Sequence, residues 1–211
     1  MNTNEFSLYF KPVETEEELK KCYNIRYKVY CEEKNWLPVS KYPTKLEIDE
    51  YDEKAKHYIA MDEDFNIIGM MRIILAKDFE RLPYTHHPAF KDQIPDIPRS
   101  AELSRFIVTS PKNRNHIIKG LFRTIYQNSK SLGLDRWVIL VEPSLLRYFT
   151  RFYYFCDPLT TPAMYFGAFT LPAVCDIAKH ERVWKRKYPE YYEFNRQEYM
   201  IYSNAEVLAV K

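Results

Sequence analysis

An acid and a base lie inside one short apolar stretch of the chain, Ala101-Glu102-Leu103-Ser104-Arg105-Phe106-Ile107-Val108. Its apolar and β-branched residues predict a β-strand, in which an unpaired buried charge would cost several kcal/mol. The strand therefore either pairs Glu102 and Arg105 for structure or uses them in chemistry. A regular strand would turn these two side chains to opposite faces, because they lie three positions apart. A β-bulge would bring both to one face and free backbone N–H groups for an oxyanion.

Other charged residues occupy apolar surroundings upstream of this strand. Arg26 falls on the apolar stripe of a predicted helix, and Arg72 interrupts the strongly apolar strand Ile67–Leu75. Acids and apolar residues interleave in the run Glu47-Ile48-Asp49-Glu50-Tyr51-Asp52, which indicates that some of these side chains face inward. The unusual charges are thus Arg26, Asp49, Asp52, Arg72, Glu102 and Arg105. They predict either a purely structural ion-pair cluster or the polar part of a cleft that handles an amine.

The remaining elements predict one mixed domain over residues 1–211. Predicted strands are Phe6–Phe10, His57–Met61, Ile67–Leu75, Ala101–Val108, Arg136–Val141, Met164–Leu171 and Tyr199–Tyr202. Predicted helices run from Thr15 to about Glu33, from Ile117 to Leu132, from Pro143 onward and from Pro172 to about Arg186. Strands interleaved with helices indicate an α/β (α+β) fold around a central sheet.

Composition argues against several classes of protein. A net charge of +2 disfavours a nucleic-acid-binding surface. The N-terminal residues Met1–Glu5 are polar, and no run reaches the ~18 apolar residues of a membrane span. We therefore expect a cytoplasmic protein with no transmembrane segment. The four glycines cannot form a Walker or dinucleotide-binding loop, which disfavours nucleotide hydrolysis and NAD-dependent redox chemistry.

The cysteines and histidines predict no metal site and no bound cofactor. Cys22, Cys31, Cys156 and Cys175 lie far apart and form no Cys-x-x-Cys pair, so we expect reduced thiols. The five histidines lack the spacing of metal ligands. A Gly-x-Ser-x-Gly elbow and a Ser-His-Asp set are also missing from the sequence.

A basic segment precedes and enters the helix predicted at Ile117–Leu132. Its cations are Lys112, Arg114, Lys119 and Arg123, with no acid among them. A helix N-terminus with basic flanks suits an anion such as a phosphate. A phosphopantetheine arm or an acidic carrier protein would fit, and ordinary surface charge is the alternative.

Together these motifs resemble the autoinducer-synthase group of GNAT acyltransferases. That group contains acyl-homoserine-lactone synthases, long-chain N-acyl amino acid synthases and exosortase-associated acyltransferases. The matching pieces cover about the first half of the chain, and they are Arg26-Tyr-Lys-Val-Tyr30, Trp36, Glu47-Ile-Asp49-Glu-Tyr-Asp52, Arg72 and Glu102-Leu-Ser-Arg105-Phe106. The resemblance implies a GNAT-like fold with a central, mostly antiparallel mixed sheet flanked by helices. The second half is similar only in its order of elements.

The resemblance also implies roles for individual residues. The amino-substrate pocket would be formed by Arg26, Tyr30, Trp36, Asp49, Asp52 and Arg72. Glu102 would act as the base, directly or through a water, with Arg105 as its anchor and Ser104 beside them. The strand from Ser104 through Phe106 to Val108 would line the acyl-pantetheine cleft. Candidates for an acyl-chain tunnel are Phe122, Tyr126, Leu145, Leu146 and Phe149.

The implied activity is N-acyl transfer from an acyl-carrier-protein or acyl-CoA thioester to the amine of an amino-acid-like acceptor. The usual GNAT pyrophosphate loop is missing, since no glycine pattern follows Arg114, and this favours an acyl carrier protein as partner. Tyr30 replaces the phenylalanine that is usual in lactone synthases. The alternatives are an acyl-homoserine-lactone synthase that uses S-adenosylmethionine, and a non-catalytic module that binds acyl chains or acyl carrier protein.

Overall fold

A computed structural model describes residues 7–90, 97 and 99–197 of the chain. Within them, eight strands form the central sheet: β1 (Tyr9–Pro12), β2 (Lys56–Met61), β3 (Ile67–Leu75), β4 (Ser100–Val108), β5 (Arg136–Val141), β6 (Asp157–Pro158), β7 (Ala163–Tyr165) and β8 (Ala168–Asp176). The strand order is β1-β2-β3-β4-β5-β8-β6, and β7 pairs with β8. Among these described strands, only β4 and β5 pair in parallel. The predicted mixed, mostly antiparallel sheet is therefore confirmed.

Helices cover both faces of this sheet. They are α1 (Glu16–Tyr27), α2 (Arg114–Ser131), α3 (Pro143–Phe149), α4 (Ile177–Lys187) and α5 (Pro189–Arg196). Thr15 caps α1 in a capping box with Glu18, and the chain continues beyond α1 as a π-helix over Lys28–Glu33. The predicted helix from Thr15 to about Glu33 is thus confirmed.

The two faces of the sheet carry different cores. On the α1 side, Cys22 packs against Ile59, Met70 and Ile107. On the α2 side, a larger core unites the sheet with α2, α4 and α5 around Trp137, Tyr154 and Trp184, among others. The core in which a strand residue packs therefore shows on which face of the sheet its side chain lies.

The sheet opens between its two parallel strands. The β4–β5 ladder extends from Ser100 opposite Arg136 to Leu103 opposite Ile139, and then it ends. β4 continues to Val108, while β5 continues along β8 to Val141. Backbone groups in the second half of β4 consequently have no ladder partner on the β5 side.

The predictions around β7 and β8 are partly wrong. The single strand predicted at Met164–Leu171 is a hairpin, whose turn residues Phe166 and Gly167 have φ of 53° and 70°. Two positive φ values in a two-residue turn suit the twist of a hairpin. A Cβ on Gly167 would also lie 2.7 Å from the Cα of Trp36, so the turn approaches that backbone closely.

The helix predicted from Pro172 begins later, at Ile177, where Asp176 caps α4. Pro172 lies inside β8, opposite Leu140 of β5. A proline near a polar residue suggests a first helical turn, but pairing with β5 outweighs that local preference. The strand predicted at Tyr199–Tyr202 lies outside the described residues.

The expectation of four reduced cysteines is also wrong. Cys156 and Cys175 form a disulfide, with Cα atoms 4.4 Å apart, because β8 returns next to the segment before β6. Cys22 and Cys31 are free and buried. Among the described helices, none is both long and apolar enough to cross a membrane.

Candidate active site

The strand β4 contains the predicted bulge. Met70 of β3 lies opposite Ile107, but Arg72 lies opposite Ser104, so β4 has one residue more than β3 in this interval. Arg105 stands in the bulge with a φ of 54°, an uncommon conformation for a residue other than glycine. The bulge is therefore confirmed, and it lies where β4 parts from β5.

The bulge changes which side chains share a face. Beyond it, Phe106 and Val108 pack on the α2 side of the sheet. Glu102 lies opposite Ile74, whose side chain packs on the other face with Tyr84. The Arg105 guanidinium also reaches that other face, where it meets acidic partners.

Those partners belong to a buried ion-pair cluster of three arginines and three acids, namely Arg26, Arg72, Arg105, Glu47, Asp49 and Asp52. Arg26 donates to both oxygens of Asp52, at 2.7 and 2.9 Å, and to Glu47. Arg72 Nη1 donates to Asp49 and Asp52, each at 2.7 Å. Its Nε donates to Ser104 Oγ at 3.0 Å. The formal charges of the six side chains balance.

The arginines keep two acids of the cluster, Glu47 and Asp52, ionised. Burial alone would raise the pKa of Glu47, but Arg105 and Arg26 hold it below its usual value. Burial acts in the same direction on Asp52, and Arg26 and Arg72 hold the pKa of that carboxyl well below its usual range. Glu47 and Asp52 are therefore paired, ionised acids, although Arg72 Nη2 has no hydrogen-bond partner among the described residues.

Glu102 differs from these acids. Its side chain is buried, and its Oε2 accepts a hydrogen bond of 2.7 Å from the Tyr84 backbone N–H. No cation among the described residues forms an ion pair with it. The expected anchor, Arg105, instead binds Glu47 and Asp49 through Nη2, at 2.8 and 2.9 Å. Burial raises the pKa of Glu102 to about 7.

A cavity of about 790 Å³ opens beside Glu102, in the gap between β4 and β5. Of the residues predicted for the site, those that line it are Tyr30, Trp36, Glu102, Ser104, Arg105, Phe106, Val108, Arg114, Phe122, Leu145 and Phe149. Arg26, Asp49, Asp52 and Arg72 lie behind this lining, in the ion-pair cluster. The residues predicted from sequence thus fall into two groups. One group lines the cavity, and the other forms the ion-pair cluster that supports this lining from behind.

One end of the cavity is apolar. The rings of Phe106, Phe122 and Phe149 contact one another there, with centroids 5.1 to 5.8 Å apart. Leu146 packs next to this end without lining it. Tyr126, the fifth candidate for the tunnel, donates to Glu181 and lies away from the cavity.

The other end is polar and aromatic. The Arg105 guanidinium lies 5.4 Å from the ring centroids of both Tyr30 and Phe166. Trp36 stacks on Tyr30, with centroids 5.7 Å apart. The hairpin turn at Phe166 therefore closes this end against the segment after the π-helix.

The four predicted anion-binding residues do not form one surface. Arg114 lines the cavity at the start of α2, close in sequence to Lys112. Lys119 lines a second cavity, beside α5. Arg123 is buried, donates to the carbonyl of Gln197 and stacks on Phe194 at 4.5 Å. Residues on one helix separate in this way because they point in different directions around it.

Sequence reasoning left Glu47 and Thr170 out of the site. Glu47 is fully buried and joins Arg26 to Arg105. The available signal was its position two residues before Asp49, since alternate residues of an extended segment share a side. Thr170 lines the cavity from β8, and nothing in its sequence context distinguished it.

Comparison with known proteins agrees with this geometry. Residues 25–123 match the family model described as the acetyltransferase (GNAT) domain. No curated protein sequence matches the chain significantly. Similar solved structures include BjaI, a CoA-dependent acyl-homoserine lactone synthase solved with SAM and isopentyl-CoA. It has 21% identity and a TM-score of 0.68, over 85% of this chain and 89% of that one.

Two further structures have the same fold. The CoA-dependent acyl-homoserine lactone synthase MesI has 19% identity and a TM-score of 0.68, over 92% of this chain and 96% of its own. FeeM, an N-acyl amino acid synthase from uncultured soil microbes, has 12% identity and a TM-score of 0.62, over 84% and 95%. Residues 25–123 thus resemble a GNAT domain, and the fold of the chain is that of these acyltransferases.

Proposed function

We propose that the chain, which matches the GNAT domain model over residues 25–123, transfers a fatty acyl group from a thioester to the amine of an amino-acid-like acceptor and releases the thiol of the donor. The donor is an acyl carrier protein or CoA thioester. Residues 1–211 act as one domain, and the reaction takes place in the cytoplasm, where such thioesters are made. The observation that carries the proposal is a buried acid, Glu102, at the point where β4 parts from β5.

Glu102 suits the role of general base. An ammonium acceptor must lose a proton before its nitrogen attacks a thioester carbonyl, and a carboxylate, directly or through one water, can take that proton. With burial raising its pKa to about 7, Glu102 is a stronger base than an exposed glutamate and still ionises near neutral pH. Backbone N–H groups of β4 beyond Leu103 are available for the oxyanion that forms.

The two ends of the cavity suit the two substrates. The apolar end at Phe106, Phe122 and Phe149 fits a fatty acyl chain, whose burial is favourable in proportion to its apolar area. The polar end, near Arg105 and Tyr30, fits an acceptor with charged groups. Arg114 and the N-terminus of α2 lie where a pantetheine phosphate or an acidic carrier protein would approach.

S-adenosylmethionine is the alternative acceptor. The fold relative BjaI was solved with SAM and isopentyl-CoA, whereas FeeM is an N-acyl amino acid synthase. The segment from Arg26 to Pro38 resembles the amino-acid and exosortase-associated branches more closely than the lactone synthases, and it supplies Tyr30 and Trp36 to the polar end. We therefore favour an amino-acid-like acceptor.

A direct assay tests the proposal. Purified protein is incubated with long-chain acyl carrier protein or acyl-CoA, together with either a panel of amino acids or S-adenosylmethionine, and the products are identified by mass spectrometry. N-acyl amino acids are the expected products. Lactone formation from S-adenosylmethionine would replace the preferred acceptor, and binding of thioester without turnover of any amine would favour the non-catalytic module.

A further inference from the structure

One backbone hydrogen bond holds the buried acid Glu102. The Tyr84 N–H donates to Glu102 Oε2 at 2.7 Å. Burial raises the pKa of Glu102, and this hydrogen bond is the largest influence that opposes the rise, ahead of the charges of Arg72 and Arg105. The Tyr84 amide therefore affects the ionisation of Glu102 more than either arginine does.

The same peptide group accepts a hydrogen bond on its other side. The Tyr84 N–H and the Pro83 carbonyl belong to one trans peptide, and the Tyr165 hydroxyl donates to that carbonyl at 3.3 Å. A donor on the carbonyl withdraws electron density across the planar amide, so the N–H on the opposite side becomes a stronger donor. Tyr165, this peptide and Glu102 thus form a chain of two hydrogen bonds.

The hairpin of β7 and β8 fixes Tyr165 in this chain, because a second hydrogen bond joins the hairpin to the same segment. His87 Nδ1 accepts from the Ala89 N–H at 3.2 Å, so Nε2 carries the proton and donates to the Thr170 carbonyl of β8 at 3.0 Å. The ring of His87 also contacts the ring of Tyr165, with centroids 5.6 Å apart. The segment from Pro83 to His87 is therefore attached to the hairpin at both of its ends.

The other surroundings of Glu102 are apolar strands and a few charged or titratable groups. Its neighbours on the adjacent strands are Ile74 of β3 and Val138 of β5. The groups that interact with its charge are Arg72, Arg105, Asp49, Tyr51 and Tyr165. His86 Nε2 lies 3.3 Å from the Tyr51 hydroxyl. Of these groups, Tyr165 acts through the Tyr84 amide as well as through space.

We propose that Tyr165 is a positioning residue for the base: its hydroxyl holds and polarises the Pro83–Tyr84 peptide, which strengthens the hydrogen bond to Glu102 and lowers the pH at which that acid can accept a proton. The inference rests on the proposed role of Glu102 in N-acyl transfer. Tyr165 lies outside the cavity lining, so it acts through Glu102 rather than on a substrate. A tyrosine that only held the hairpin would change the stability of the fold but not the ionisation of Glu102.

Tyr165→Phe tests the inference, because it keeps the ring and removes the donor. Cooperative strengthening of about 10–30% in a hydrogen bond to a charged group corresponds to about 0.1–0.7 pH unit, and the looser peptide of the variant adds to it. The pKa of Glu102 should therefore rise by about 0.3 unit or more. An NMR titration of protein with ¹³C-labelled glutamate carboxyls measures this pKa, and the Glu102 signal is identified by its loss in Glu102→Gln.

Tyr192→Phe is the matched control, since Tyr192 lies on α5, where its ring contacts Lys185 and Arg196. It should leave the pKa of Glu102 unchanged. In Tyr165→Phe the midpoint of the pH profile of kcat/KM should rise together with that pKa. Its kcat/KM should therefore be about twofold lower than that of wild type at pH 6 and equal to it well above the midpoint.

Three results would overturn the inference. They are a Glu102 pKa that does not rise in Tyr165→Phe, an equal rise in Tyr192→Phe, and a loss of kcat/KM that is the same at every pH, as a merely structural role would give. If wild type acylates no amine at all, the proposed function fails, whereas the titration still shows whether Tyr165 controls the ionisation of Glu102.

Discussion

Two groups of buried charge lie within a few residues of each other, and they are built in opposite ways. In the ion-pair cluster, Arg26 and Arg72 converge on Asp52, and every acid has at least two cationic partners. Glu102, by contrast, has one backbone N–H and no ion pair among the described residues. The cluster has acids with lowered pKa values, whereas the pKa of Glu102 is raised.

This difference separates the charges that support the structure from Glu102, which we propose takes part in the reaction. Burying paired charges has a large desolvation cost that the pairing offsets, and removing one partner costs about 3–5 kcal/mol, so the pairs fix the position of the strands and loops that bear them. A buried acid without a cation is costly to ionise, and that cost makes it a better base. Arg105 connects the two groups, since it belongs to the cluster and also lines the cavity.

The strongest test of this contrast is Glu102→Gln. The variant keeps the shape and the hydrogen bond from Tyr84 but removes the base, so turnover should fall by about 10²- to 10⁴-fold. Its thermal unfolding should be close to that of wild type at pH 4.5, where both side chains are mostly neutral, and should occur at a higher temperature than that of wild type at pH 7. Glu53→Gln, a change at an exposed acid just after the cluster, should retain full turnover. Wild-type rates in Glu102→Gln would remove Glu102 from the mechanism.

Asp52→Asn, a change inside the ion-pair cluster, should mainly reduce stability, whereas Glu102→Gln should mainly reduce turnover. Asp52 accepts from Arg26, Arg72 and the Asp49 N–H, so the substitution leaves buried arginines uncompensated. The free energy of unfolding should fall by about 3–5 kcal/mol, measured by urea denaturation.

Asp135→Asn provides the control for this measurement. Asp135 pairs with Arg99, but their side chains are 41% and 70% exposed, and exposed pairs contribute about 1 kcal/mol or less. Equal losses in the two variants would mean that the cluster is no more important for stability than a surface pair.

Much of the fold could be predicted from local sequence. The capping box at Thr15 and the apolar runs of β3 and β4 carry periodicity that the tertiary structure respects. The prediction of a helix from Pro172 was wrong because that segment pairs with β5 as a strand. This pairing joins residues far apart in sequence. The Cys156–Cys175 disulfide was missed for the same reason.

The site was predictable to a similar depth. Charged residues in apolar surroundings identified the six unusual charges and the bulge at Arg105. Sequence could not show which acid would lack a cation, because that depends on where the guanidinium of Arg105 ends up in space. Sequence reasoning did not assign Glu47 and Thr170 to the site, because an acid in an acidic run and a threonine in a strand are both common.

The two groups should also respond oppositely to pH in their effect on stability. Acids with lowered pKa values, such as Asp52, stabilise the fold above their ordinary pKa and lose that effect only in acid. The pKa of Glu102 is raised from 4.5 to about 7, so its contribution is complete below pH 4.5 and is lost as the pH rises through 7. Wild type should therefore lose about 3 kcal/mol relative to Glu102→Gln between pH 4.5 and 8.

Urea denaturation of both proteins across this range measures that difference. The comparison cancels His57, whose pKa burial lowers to about 4 and which titrates in both proteins. Parallel stability curves would show that Glu102 does not carry a raised pKa.

The smallest expected effect is the slope of the pH–rate profile, which tests whether the unpaired acid is also the working base. Only ionised Glu102 can take a proton, so kcat/KM should fall about tenfold for each pH unit below 7. Protonation of the acceptor amine adds its own slope, but that slope persists in the residual activity of Glu102→Gln. The ratio of the two profiles therefore isolates Glu102, and a ratio that does not change between pH 5 and 8 would mean that its ionisation plays no part in turnover.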